Sequence, residues 1–142
     1  MKKTYKKLGI ALIILVILLV VAFFSLQTKG DQESKLSKKL EEVGSDFYTN
    51  FYHGQITSDK TEEESTEFLS RFNEKGIKVD LDNLSRFNEQ KYSDLLETFV
   101  NKKTKIACDQ KNTRAIIYPQ EPYGDKDFTI KGELDCGFDV TE

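Results

Sequence analysis

The stretch DFTIKGELDCGF, Asp127–Phe138, decides how the chain is built. Phe128, Ile130, Gly132, Leu134, Cys136 and Phe138 fall at every second position, with Thr129, Lys131, Glu133, Asp135 and Gly137 between them. A strand turns successive side chains to opposite faces, so this alternation predicts a sheet with one face on a core and one in water. Two further segments read as strands, KIACD (Lys105–Asp109) and TRAIIYP (Thr113–Pro119). DQKN (Asp109–Asn112) offers a tight turn between these two, and PQEPYGDK (Pro119–Lys126) a longer loop before the third.

In a simple meander, Cys108 and Cys136 share one end of the sheet, which favours pairing. Strands one and three would then stand about 9 to 10 Å apart, whereas a disulfide wants Cα atoms roughly 4.4 to 6.8 Å apart. Either the chain bends past Leu134 across the sheet end, which Gly137 permits, or strands one and three are neighbours. The closed loop should contribute about 3 kcal/mol, mostly by restricting the unfolded chain.

Upstream the period changes to that of a helix. Leu36, Leu40, Val43, Phe47 and Phe51 predict a helix over about Glu33–His53, with Gly30 breaking the chain before it and Gly54 stopping it. Two heptads are too few for a coiled coil, so this stripe belongs to the domain's own core. In SDKTEEESTEFLSRFNEKG, Ser58, Asp59 or Thr61 can cap a second helix. Glu62, Glu63 and Glu64 then match its dipole, and Gly76 follows its end. A third helical region is expected after Asp80 or Asp82, burying Leu84, Phe87, Tyr92, Leu95, Leu96, Phe99 and Val100. The hexamer LSRFNE occurs twice, at Leu69–Glu74 and Leu84–Glu89. The likeness stops at the hexamer, and helical repeat families have periods of roughly 20 to 50 residues. Two helices are therefore expected to place a Leu/Phe pair in one core. The fold class is α+β: about three helices on a three-stranded antiparallel sheet with one disulfide.

The first 30 residues differ in kind. Lys2, Lys3, Lys6, Lys7 and Lys29 face no acidic residue there, and removing them from the net charge of −3 leaves −8 for residues 31–142. LGIALIILVILLVVAFFSL, Leu8–Leu26, runs 19 residues without a charge. As a helix it would span about 28 Å, close to the hydrocarbon thickness of a bilayer. A cleaved signal peptide has a shorter apolar run and small residues at its end, where this chain has VAFFSLQT. The expected organisation is a cytoplasmic basic tail (1–7), a transmembrane helix (8–26), a linker (27–34) and an extracytoplasmic domain (35–142). The lysines before the span place the N-terminus in the cytoplasm. An oxidising compartment outside fits a Cys108–Cys136 disulfide.

Few residues suggest reaction chemistry. The lone His53 falls at a helix end, where it can bond the last carbonyls. VDLDN and GDKD pair acids two apart without the pattern of a calcium loop, and caps and turns also want Asp there. No phosphate-cradling glycine motif occurs, and the acidic domain argues against nucleic acid. No catalytic residue, cofactor or metal is expected. The aromatic residues lead instead. FYTNFY sets Phe47 and Phe51 beside Tyr48 and Tyr52, and the proline loop carries Tyr118, Pro119, Pro122 and Tyr123 as a candidate binding edge. The expected function is a non-enzymatic binding or assembly module anchored to the membrane, with an envelope or surface protein as partner. The alternatives are a structural subunit of a surface filament or envelope complex, and an enzyme.

GIKVDLDNLSRFN, NKKTKIACD and IIYPQEPYGDKDFTIKGELDCGF together carry a resemblance. Over about residues 45–138 the chain resembles uncharacterised single-pass, membrane-anchored small proteins of ultrasmall, host-dependent bacteria of candidate phyla. That resemblance implies a compartment and no activity. The order of elements is also similar to that of type IV pilins. Pilin precursors follow the cleavage-site glycine with phenylalanine and carry glutamate at the fifth place, where this chain has Ile10 after Gly9 and then Ile14.

Overall fold

The computed structural model describes residues 30–139. The apolar stretch Leu8–Leu26 and the basic tail lie outside the described residues, and among the described residues no helix is long and apolar enough to cross a membrane. The compact unit described below begins at Ser34.

Helix α1 (residues 30–47) runs without a break into a π turn (Tyr48–Tyr52) and α2 (His53–Thr57). Next come α3 (Glu62–Ser70), β1 (Ile77–Asp80), α4 (Leu81–Arg86), α5 (Glu89–Tyr92), α6 (Leu95–Thr98), β2 (Arg114–Pro119) and β3 (Phe128–Glu133). The three strands form one antiparallel sheet in the order β1-β2-β3. Ile77 pairs with Ile117 on one side of β2, and Ile117 pairs with Ile130 on the other. The α+β class, the antiparallel sheet and the disulfide are as the sequence predicts.

The identity of the first strand is not. KIACD lies outside the sheet; of it, only Ala107 pairs, in an isolated bridge with Val100, and Lys105, Ile106 and Ala107 are exposed. The edge strand is IKVD, Ile77–Asp80, a segment ahead of the third helical region to which the sequence assigns no strand. Its alternation is genuine, with Ile77 and Val79 buried and Lys78 exposed, yet four residues are too few to separate a strand from a helix entry. Asp80 then caps α4, accepting from the Asn83 backbone N–H at 2.8 Å. The third helical region is broken into α4, α5 and α6.

Helix α1 buries Leu36, Leu40, Val43 and Phe47, the predicted stripe. Two further expectations fail. Gly30 and Gly54 are both helical, and the helical chain continues to Thr57. The stripe also does not pass through Phe51, which is 42% exposed. The cause is the π turn, closed by the His53 N–H donating to the Tyr48 carbonyl. One residue more per turn advances the phase, so the inward positions become Tyr48, Tyr52 and Ile56.

Helix and sheet approach closely where glycine leaves no side chain between them. A Cβ on Gly44 would lie 2.6 Å from the Ala115 Cβ of β2 and 2.8 Å from Ile130 Cδ1 of β3. At Gly132 of β3 it would lie 2.9 Å from Ser37 Oγ of α1. Gly44→Ala should therefore destabilise the domain by about 1 to 3 kcal/mol, although alanine is the better helix former by about 1 kcal/mol. Urea denaturation reads the difference, and a stabilised variant would show that helix and sheet are not in contact there.

The twin hexamers end two helices in the same way. Leu69 and Leu84 are wholly buried, and Phe72 and Phe87 pack half-buried against the core. Ser70 Oγ donates to the Glu67 carbonyl at 2.8 Å, and Ser85 Oγ to that of Asp82 at 2.7 Å. Arg71 pairs with Glu67 and Arg86 with Asp82, each one turn back. Thr61 caps α3 in a reciprocal box with Glu64, and Gly76 takes φ +71° after the last turn, a conformation that favours glycine.

Candidate functional site

The two aromatic leads of the sequence meet in space. The π turn Tyr48–Tyr52 lies against the loop joining β2 to β3. Thr49 Oγ1 donates to the Asp125 carbonyl at 3.0 Å, and His53 Nε2 lies 3.0 Å from the Tyr123 carbonyl. A carbonyl only accepts, so the proton sits on Nε2 and the ring serves to hold the loop. The loop also closes on itself. Gln120 N–H donates to Asp127 O at 2.8 Å, and Asp127 Oδ2 accepts from Gly124 N–H at 2.9 Å.

Within the candidate binding edge the four residues differ. Pro119 is fully buried, Tyr123 is buried with φ +65°, Tyr118 is half-buried at the end of β2, and Pro122 is exposed. The edge facing solvent is thus shifted toward the π turn. Phe51 lies 5.5 Å from the Phe47 ring and 6.2 Å from Phe87, and Phe87 lies 5.3 Å from Tyr92. These four rings form one run from α1 to α5 with Phe51 at its exposed end.

Beneath it, Tyr48 is wholly buried against Phe128, ring centroids 4.8 Å apart, and its hydroxyl has no hydrogen-bond partner. Burial, with smaller contributions from Tyr52, Asp127 and Asp125, pushes this phenol up to about 12. Tyr48 therefore stays neutral throughout the physiological range.

Beside the rings sits a polar cluster that sequence reading missed. Asp46 accepts from Tyr92 Oη at 2.5 Å, Lys91 Nζ at 2.9 Å and Asn50 Nδ2 at 2.6 Å. Asp46 and Tyr92 stand 46 residues apart, so no local pattern could announce the pair. Burial alone would raise the Asp46 carboxyl, but the bonds from Tyr92, Lys91 and Asn50 outweigh it and hold the group below its ordinary value. A carboxyl lowered on folding contributes stability above its unfolded value near 3.8 and loses it as pH falls through the lower folded one. Asp46→Asn should remove part of the chain's acid sensitivity below about pH 4. Denaturation midpoints across that range check it; identical pH profiles would show that the cluster does not couple to folding.

The acid pair of VDLDN has structural partners. Asp80 and Asp82 share Lys111 Nζ at 3.3 and 3.0 Å, and Asp82 also holds Arg86. Among the described residues no group of three or more His, Cys, Asp or Glu side chains converges as metal ligands do. Cys108 and Cys136 are joined, with Cα atoms 4.0 Å apart. The dilemma of a separating middle strand vanishes because Cys108 lies on a loop beside the extension of β3. There Asp109 N–H donates to Asp135 O at 2.7 Å, Asp135 N–H to Thr113 Oγ1 at 3.1 Å, and Gly137 turns at φ +65°.

Fold and site together define a small α+β domain closed by one disulfide, with an aromatic run opening at Phe51. No protein family, characterised protein or solved structure matches this chain.

Proposed function

We propose that the chain is a membrane-anchored, extracytoplasmic binding or assembly module without catalytic activity. Its anchor is Leu8–Leu26, with the lysine-rich tail inside and the disulfide-closed domain outside. The aromatic run ending at Phe51 is the observation that carries the binding role. A large ring exposed at the end of a packed row, next to the Asp46–Lys91 pair, has the make-up of an interface anchor with a polar rim. The partner expected is an envelope or surface protein.

A photo-reactive phenylalanine analogue at position 51, in the full chain in living cells, tests this reading. The expected result is one discrete adduct that disappears when Phe87→Ala is added. A ladder of adducts of the chain with itself would make it a structural subunit instead. Protease that spares the domain in whole cells would overturn the topology. Turnover abolished by a single conservative substitution would overturn the non-enzymatic assignment.

A further inference from the structure

The loop 101–106, NKKTKI, reverses the charge of its surroundings. Lys102, Lys103 and Lys105 are exposed on a domain that is otherwise acidic, and Ile106 beside them is 53% exposed. Only Phe51 and Ile106 are large apolar side chains left exposed among the described residues.

The loop is held rigid from below by Asn101, which is 3% exposed. Its Oδ1 accepts from Lys103 N–H at 3.1 Å and Thr104 N–H at 3.3 Å, while Nδ2 donates to the Cys136 carbonyl at 3.1 Å. Its backbone completes the frame: Asn101 N–H donates to Ile106 O at 2.8 Å, and Lys105 N–H to Asn101 O at 2.7 Å. Lys105 takes φ +61°, a left-handed conformation that a lysine keeps only where its surroundings impose it. The Val100–Ala107 bridge and the Cys108 disulfide close the base. A disulfide and a buried amide thus fix a loop that carries three exposed lysines and an exposed isoleucine.

We propose that this loop docks on an anionic phospholipid surface, the lysines on phosphates and Ile106 in the interfacial layer. The assignment rests on the membrane anchor proposed above. Three lysines and one isoleucine are weak in free solution, but a tethered domain meets its own bilayer at high effective concentration. The positive charge of Lys102, Lys103 and Lys105 selects anionic lipid over zwitterionic lipid.

The chain contains no tryptophan, so Ile106→Trp gives a single fluorescent reporter. The full chain is reconstituted in vesicles of phosphatidylcholine alone or mixed with phosphatidylglycerol. In anionic vesicles the emission should shift to the blue and be quenched by brominated acyl chains, and high salt should reverse both. Each of Lys102→Gln, Lys103→Gln and Lys105→Gln should weaken docking about fivefold, whereas the triple Lys→Arg variant should keep it. Emission equal in the two vesicles, or quenching indifferent to the lysines, overturns the assignment while the anchor stands. A blue shift in detergent without lipid, rising with protein concentration, would give the loop to a second copy of the chain. Failure to float with either vesicle overturns the anchor and this assignment together.

Discussion

Reducing the Cys108–Cys136 disulfide should lower the free energy of unfolding by about 3 kcal/mol. The bond closes a sequence separation of 28 residues, which includes all of β2 and β3. Released, the unfolded chain regains the freedom of that loop, while the native chain keeps the hydrogen bonds of Asp109 to Asp135 and Asn101 to Cys136. A domain of this size has only about 5 to 15 kcal/mol in total, so the loss is a large share. Urea curves of oxidised and reduced protein, with the Cys108→Ala/Cys136→Ala double variant as control, provide the comparison. A midpoint unmoved by reductant would mean that the bond does not constrain the unfolded chain.

The second large effect belongs to the paired leucines. Leu69→Ala and Leu84→Ala each remove a wholly buried side chain and should each cost about 2 to 5 kcal/mol. Arg71→Ala and Arg86→Ala, in the same hexamers, break pairs whose arginines face solvent and should have little effect. This contrast identifies the repeated hexamer as a way of ending a helix over a core. If the arginine variants proved costlier than the leucine variants, the hexamers would be serving some other purpose.

Why some parts of this fold were readable follows from where their information lies. Phe128, Ile130, Leu134 and Phe138 pack against the core as their alternation predicts, because the period of a strand is a local property. Leu36 to Phe47 obey the helical period for the same reason. IKVD was missed because its partners Arg114 to Ile117 are some 34 to 40 residues away, and only pairing makes so short a segment a strand. The exposure of Phe51 depends on one additional residue in a single turn. Composition does not register that shift, yet it moves the aromatic face outward.

The candidate site divides the same way. Aromatic residues at FYTNFY and at the proline loop were visible as separate clusters. Their junction rests on Thr49–Asp125 and His53–Tyr123, contacts across about 70 residues or more. The sequence by itself determined the α+β class, the core faces of α1 and β3, the capped starts of α3 and α4 to within a few residues, and the cysteine pairing. Each follows from spacing along the chain or from chemistry confined to a few residues. Tertiary structure alone decided which segment borders the sheet, which rings reach solvent, and how Asp46 and Asn101 are engaged. Those outcomes depend on groups brought together only when the chain closes on itself.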